Sequence, residues 1–80
     1  MAIRVLLVDD QALFREGLET LLSVHKDIQV AGQASNGQEA LEVAAQVRPD
    51  VVLMDLRMPV LDGVRATRLL KEAQPQCRVI

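Results

Sequence analysis

The sequence contains almost no aromatic residues and only one cysteine. Phe14 is the single aromatic side chain among 80 residues, with no Trp or Tyr, and the formal net charge is −2. A chain without aromatic rings to stack on bases and without excess positive charge lacks the features of a nucleic-acid-binding surface. Because Cys77 is the only cysteine, an internal disulfide bond and a cysteine-based zinc site are excluded.

Long apolar runs are also missing. The longest span only a few residues, which is too short for a transmembrane helix. The N-terminus enters a strand-like pattern at once and lacks the layout of a signal peptide. We therefore expect a reduced, cytoplasmic protein that does not contact a membrane. Half of the residues are hydrophobic, and 80 residues allow one small globular domain.

Two solid apolar runs predict strands that are buried on both faces. They cover residues 3–8 and 51–54, and each ends on aspartate. Between them, apolar residues at helical spacing predict an amphipathic helix that begins at Gln11 and fades between Ser23 and Lys26. Its apolar stripe consists of Leu13, Phe14, Gly17, Leu18, Leu21 and Leu22, while Arg15, Glu16 and Glu19 are placed on the other face.

The remaining elements follow in the same alternating order. Residues 28–34 largely alternate apolar and polar, which predicts an edge strand. Asn36 and Glu39 resemble a capping box that opens a second helix, and Arg48–Pro49 ends it. Asp62 is the predicted N-cap of a third helix, which ends at Gln74–Pro75. Two apolar stripes could form its inner face: Val64, Thr67, Leu70 and Ala73, or Ala66, Leu69, Leu70 and Ala73. Residues 77–80 begin a fourth strand.

The order βαβαβαβ with short connections predicts an α/β fold. Such alternation favours a doubly wound parallel sheet in three layers, with right-handed crossovers and helices on both faces. If the strand order is 2-1-3-4, the first and third strands are neighbours, and their carboxyl ends meet in the crevice where ligands bind. Asp9, Asp10 and Asp55 would then share one pocket.

Three neighbouring carboxylates repel one another, and a divalent cation removes that conflict. Oxygen-only ligands suit Mg²⁺, and an aspartate beside such an ion can act as a nucleophile toward a phosphoryl group. The simpler interpretation is that acidic residues merely solubilise strand ends or cap helices. A single acidic strand tip would favour that interpretation, whereas a pair beside a third acid favours a site.

Three segments of the sequence together resemble the receiver domain of two-component response regulators. They are LLVDDQALFREGL, NGQEAL and PDVVLMDLRMPVLDG, and the resemblance runs through the whole chain. It implies a flavodoxin-like receiver fold, Asp55 as both the phosphoacceptor and a Mg²⁺ ligand, and Asp10 as a direct Mg²⁺ ligand. Asp9 would bind Mg²⁺ directly or through water, and Arg57 would contribute its backbone carbonyl. A histidine kinase would be the phosphodonor.

The segment VAGQASNGQEAL is similar to the NarL/FixJ branch of that family. Its members usually carry a C-terminal LuxR-type helix-turn-helix, so DNA would be bound only through an output domain outside these residues. A complete receiver also carries a hydroxyl residue at the tip of strand four and a lysine at the end of strand five, and no residue here can be assigned either role. We therefore expect residues 1–80 to be the N-terminal two-thirds of a single receiver domain, ending within the fourth strand.

The resemblance also implies what such a fragment would do. The first and fifth helices of a receiver cover one face of the sheet together, so without the fifth helix apolar strand surface is bare, and the last strand is an open edge. We expect these residues to form a homodimer, to swap segments or to aggregate. We also expect that the fragment alone does not switch an output.

Two other functions remain open from the sequence. One is an Mg²⁺-dependent phosphotransferase of the haloacid-dehalogenase kind, in which an aspartate is the nucleophile. That class needs a second aspartate two residues after the nucleophile, where this chain has Arg57. The other is a receiver-like interaction module that is never phosphorylated, whose usual sign is loss of the acidic pocket. Because Arg57 stands at that second position and all three acids are present, we expect a phosphoryl-accepting signalling module that is not an enzyme beyond its own phosphorylation.

Overall fold

A computed structural model describes residues 2–55 and 63–80 of the chain. Four strands form one parallel sheet in the order β2-β1-β3-β4, which confirms the predicted α/β architecture. The elements are β1 (Ile3–Val8), α1 (Ala12–Ser23), β2 (Ile28–Ala34), α2 (Gly37–Val47), β3 (Val51–Met54), α3 (Gly63–Ala73) and β4 (Arg78–Val79).

Strand β1 lies inside the sheet, and β2 forms one edge as predicted. Residues 5–8 of β1 are all buried, which explains the solid apolar run in the sequence. The last residue of β1, Val8, pairs with Ala34 on one side and with Met54 on the other. This register brings the carboxyl ends of three strands to the same edge of the sheet.

The main core lies between the sheet and helices α2 and α3. Small alanines on the helices allow a close approach to the branched side chains of the strands. Together, the buried residues of this core are Leu6, Val8, Ala34, Ala40, Ala44, Val52, Met54, Ala66, Leu70 and Cys77.

The face of the sheet next to α1 is only partly covered. Within the part of the chain that the structure describes, α1 has no buried residue, and Leu13 is 82% exposed. In β3, Val51 and Leu53 are half-buried while Val52 and Met54 are buried. The prediction of a strand buried on both faces is therefore correct for β1 and wrong for β3. The physical reason is that the described elements include only one helix on this side.

Helix α1 also faces the sheet differently from the prediction. Its least exposed residues are Arg15, Leu18 and Leu22, which follow the i, i+3, i+7 spacing of one helix face. Three residues of the predicted apolar stripe are more than half exposed, namely Leu13, Phe14 and Leu21. Placing Arg15 on the outer face was therefore wrong.

The ends of α2 follow the sequence signals closely. The Asn36 side chain accepts a hydrogen bond of 2.8 Å from the Glu39 backbone N–H. The Glu39 carboxylate in return accepts one of 2.9 Å from the Ser35 N–H, one residue before the position expected for a capping box. At the other end, Arg48 adopts a left-handed conformation with φ of 49°, and Pro49 follows it.

Helix α3 buries a narrower face than either predicted stripe. Gly63, Ala66 and Leu70 are buried, so the second predicted stripe is correct only for Ala66 and Leu70. The first stripe fails at Val64, which is 57% exposed. The predicted N-cap, Asp62, lies outside the described residues. No helix in residues 2–55 and 63–80 has the length and apolar character needed to cross a membrane.

Candidate functional site

Three carboxylates meet at the carboxyl-terminal edge of the sheet. One oxygen each from Asp9, Asp10 and Asp55 lies within 4.8 Å of the others. Asp9 and Asp55 are half-buried and Asp10 is exposed. The structure thus brings together the three aspartates that the strand pattern placed in one pocket.

The sheet register explains why these residues meet. Val8 and Met54 are paired in neighbouring strands, so the residues that follow them, Asp9 and Asp55, leave the sheet side by side. The Asp55 N–H donates a 3.0 Å hydrogen bond to the Val8 carbonyl, which extends the ladder by one residue. The backbone of Asp55, directly after β3, is therefore tied to β1, which favours a defined side-chain position.

Asp9 is held at three separate atoms. Its N–H donates to the Ala34 carbonyl at 3.1 Å, and its Oδ1 accepts a hydrogen bond of 2.9 Å from the Gln11 N–H. The Asp9 carbonyl oxygen accepts a hydrogen bond from Nη1 of Arg15. The first contact joins Asp9 to β2, and the other two join it to the start of α1.

The side chains of Arg15 on α1 and Gln33 on β2 support this arrangement. Besides its bond to Asp9, Arg15 donates through Nε to Oε1 of Gln33 at 3.1 Å. Nε2 of Gln33 donates to a carboxylate oxygen of Glu19 at 3.2 Å. The sequence pattern did not indicate a role at the site for Arg15 or Gln33, because polarity and spacing alone do not show which residues a long side chain will reach.

The donor set fits a small, hard cation. Mg²⁺ takes oxygen ligands at about 2.0–2.1 Å in octahedral geometry, so two oxygens on one ion lie at most about 4.2 Å apart. The carboxylate oxygens of the three aspartates lie up to 4.8 Å apart, which is close to that limit. A small side-chain rotation or one bridging water would let all three bind the same ion. Arg57, whose carbonyl was predicted as a further ligand, lies outside the described residues.

An open apolar groove of about 370 Å³ leads to these acids from the α1 side of the sheet. Asp9 and Asp55 lie at its polar part, and Leu7, Leu53 and Ile80 line its apolar part. Ile80 is 76% exposed, although its N–H and carbonyl both bond to β3. The groove is the space left on the partly covered face of the sheet.

Several hydroxyl and lysine groups of the described residues are engaged in local bonds. Thr67 donates to the Gly63 carbonyl at 2.6 Å, and Ser23 donates to the Thr20 carbonyl at 2.7 Å. Nζ of Lys71 donates to the Cys77 carbonyl at 2.6 Å. These bonds belong to helix ends and turns, in agreement with leaving the two switch roles unassigned.

Cys77 is fully buried under α3, as expected for a small core residue. Burial raises the pKa of its thiol, the nearby Lys71 partly opposes that shift, and Asp50 adds to it. Because the thiolate is the reactive form of cysteine, this environment makes Cys77 inert.

Comparison with known proteins shows one family throughout the chain. The family model for the response regulator receiver domain matches residues 5–80. The transcriptional regulatory protein LnrK of Bacillus subtilis (strain 168) is 45% identical over 78 residues, which is 98% of this chain and 36% of LnrK. The chain thus spans about a third of the length of this curated relative.

Solved structures agree with the sequence match. The response regulator domain of Thermotoga maritima CheB is 40% identical, with a TM-score of 0.92, over 99% of this chain and 58% of that one. The signal receiver domain of the putative response regulator NarL from Mycobacterium tuberculosis is 38% identical, with a TM-score of 0.90, over 98% of this chain and 63% of that one. These relatives are consistent with the NarL/FixJ branch. The chain belongs to the receiver domain family of two-component response regulators, and it is a signalling module with the flavodoxin-like receiver fold.

Proposed function

We propose that this receiver domain accepts a phosphoryl group on Asp55 from a histidine kinase, with Mg²⁺ as cofactor. The observation that supports the proposal is the convergence of the Asp9, Asp10 and Asp55 carboxylates at one edge of the sheet. Asp55 directly follows strand β3 and borders the open groove, so a donor can approach a nucleophile whose backbone is fixed.

Each acid has a distinct proposed role. Asp10 binds the cation directly, Asp9 binds it directly or through a water, and the Asp55 carboxylate and the Arg57 carbonyl complete the protein ligands. When bound, Mg²⁺ supplies positive charge that offsets the negative charge of the transferred phosphoryl group. The protein contributes the position of the Asp55 carboxylate, which is maintained by the bond of the Asp55 N–H to Val8.

The proposed transfer exchanges one bond to phosphorus for another. A carboxylate oxygen of Asp55 attacks the phosphorus of a phosphohistidine on the kinase and forms an acyl phosphate. The phosphorus–nitrogen bond breaks, and its electron pair leaves with the imidazole nitrogen, which takes up a proton from solvent. Carboxylate nucleophiles of this kind form covalent aspartyl phosphates.

The experiment uses acetyl phosphate and Mg²⁺ with the purified protein, read by intact mass. The proposal expects a mass gain of one phosphoryl group that disappears in Asp55→Asn and on chelation of Mg²⁺. Asp27→Asn is the matched control, because Asp27 is an exposed aspartate at the opposite end of the sheet, where its carbonyl accepts from the Ile3 N–H. A gain of equal size in Asp55→Asn would contradict the assignment.

The same experiment separates the two alternative functions. Repeated turnover of acetyl phosphate without accumulation of modified protein would favour the haloacid-dehalogenase kind of phosphotransferase. No modification and no turnover would favour an interaction module that is never phosphorylated. Retention of three acids at the site supports the phosphoacceptor over that module.

We further propose that residues 1–80 are the N-terminal two-thirds of the receiver domain of a transcription factor. The support is that they span 58% and 63% of two solved receiver chains and about a third of LnrK. In such a parent protein, which would act in the cytoplasm, a C-terminal helix-turn-helix would bind DNA and the remainder of the receiver would transmit the phosphorylation signal. The residues that follow Ile80 in the encoding gene test this directly.

As a separate chain, residues 1–80 are proposed to associate with a second copy and not to switch an output. Helix α1 and the partly covered side of the sheet expose apolar side chains, among them Leu13, Phe14 and Ile80. Among the described strands, β4 also lies at an edge of the sheet with no further strand beside it. Unpaired edges and contiguous apolar surface both favour pairing with another chain.

A further inference from the structure

We infer that Arg15 is a positioning residue that orients the Asp9–Asp10 pair for binding of a divalent cation. The inference rests on the proposed function, because it assigns Arg15 a role toward the same acidic site. Its basis is the set of contacts that Arg15 makes on the sheet-facing side of α1, where it is half-buried.

The Arg15 guanidinium is fixed in two directions. Nη1 donates to the Asp9 carbonyl, and Nε donates to Oε1 of Gln33 on β2. The amide of Gln33 has only one orientation that serves both of its partners, since its oxygen accepts from Arg15 while its nitrogen donates to Glu19. Arg15 is thus part of a connected network that joins the end of β1 to α1 and β2.

The carbonyl that Arg15 holds belongs to the peptide group between Asp9 and Asp10. A peptide group is planar, so fixing its oxygen restricts rotation of the whole plane, including the N–H of Asp10. The Asp9 N–H and Oδ1 are held by Ala34 and Gln11. The remaining freedom of this segment is rotation of the peptide plane between Asp9 and Asp10, which sets the position of the Asp10 Cα. The Arg15 bond restricts that rotation.

Charge and positioning make opposite predictions for loss of this side chain. The positive charge of Arg15 repels a second cation, so removal of the charge alone would strengthen Mg²⁺ binding. Loss of orientation would weaken binding, and residues that orient metal ligands typically change affinity about 10- to 100-fold when mutated. The direction of the change therefore decides between the two roles.

The experiment measures Mg²⁺ affinity by isothermal titration calorimetry, independently of phosphorylation. We expect Arg15→Met to weaken Mg²⁺ binding about tenfold or more. Arg15→Lys keeps the charge but loses the planar fork that reaches two partners, so it should recover only part of the affinity. Arg78→Met is the matched control, because it removes the same charge at the opposite end of the sheet. Arg78 is exposed there and pairs with Val51. The Mg²⁺ affinity of this variant should equal that of the wild type.

Gln33→Leu gives a second test that leaves the Arg15 charge in place. We expect weaker Mg²⁺ binding, and this variant decides the question if Arg15→Met fails to fold by circular dichroism. In the metal-free protein, the ¹⁵N order parameter of the Asp10 amide should fall from a rigid value of about 0.85 in either variant.

Unchanged or tighter Mg²⁺ binding in folded Arg15→Met, or in Gln33→Leu where Arg15→Met does not fold, overturns the inference while leaving the proposed function intact. Absence of Mg²⁺ binding by the wild type overturns both.

Discussion

Replacing Gly32 by alanine tests how closely α2 packs against the edge strand β2. An ideal Cβ at this position would lie 2.8 Å from Cγ1 of Val43 and 3.6 Å from Cδ1 of Leu6. Carbon atoms do not approach as closely as 2.8 Å without displacement. Valine in a helix occupies one χ1 rotamer in about 90% of cases, so the helix and the strand must separate.

Overpacking of this kind costs about 1–3 kcal/mol. For a domain of this size, each kcal/mol lowers the midpoint of thermal unfolding by about 4–8 °C. We therefore expect Gly32→Ala to lower Tm by about 5–20 °C, measured by far-ultraviolet circular dichroism and checked by urea unfolding.

Gly17→Ala is the matched control, because it adds the same methyl group within α1. Apart from its chain neighbours and the nearby backbone of its own helix, a Cβ there has no described heavy atom within 4 Å. Alanine in place of a helix-interior glycine should stabilise the protein by about 0.5–1 kcal/mol. Opposite shifts in Tm for the two variants are the expected result. A Gly32→Ala variant as stable as the wild type, or equal shifts for both variants, would refute the packing argument.

Three other predictions concern a helix cap, a buried thiol and self-association. Asn36→Ala removes the acceptor for the Glu39 N–H and should cost about 1 kcal/mol, whereas Asn36→Asp keeps an acceptor and should retain most of the stability in the same melts. Burial raises the pKa of the Cys77 thiol. The contribution of this buried neutral thiol to the free energy of unfolding is complete below the pKa of the unfolded thiol, about 8.5. It is lost as the pH rises through the higher native pKa. The unfolding free energy should therefore fall above about pH 8.5, and Cys77→Ala should flatten that dependence; identical pH profiles would contradict the assignment. Residues 1–80 should sediment as dimers or larger species at high concentration, and a monomer at every concentration would exclude self-association.

Much of the fold was predictable because strand and helix periodicities differ strongly in this chain. The solid run of residues 5–8 and the alternating run of residues 28–34 correctly distinguished the interior strand β1 from the edge strand β2. The Asn36 cap and the stop at Arg48–Pro49 were visible because caps and proline act over a few residues. The predicted faces of α1 and α3 were less accurate, since burial depends on which other elements pack on each side.

The acidic cluster was predictable for a related reason. Parallel strands present their carboxyl ends at one edge, so acids at the ends of β1 and β3 meet once the two strands are neighbours. The strand order 2-1-3-4, a common order of doubly wound sheets, made those two strands neighbours, and the structure has the same order. The roles of Asp9, Asp10 and Asp55 in metal binding and phosphoryl transfer remain predictions, which phosphorylation by acetyl phosphate with and without Mg²⁺ tests.

By itself, the sequence determined the order of the elements, the family and the three acids, because each depends on local pattern or on residue identity. Only the tertiary structure showed that Arg15 turns toward the sheet and binds the Asp9 carbonyl and Gln33. Only the structure showed that Gly32 lies against Val43. A long flexible side chain and a glycine carry little local pattern, so their partners are set by whichever elements the fold brings next to them.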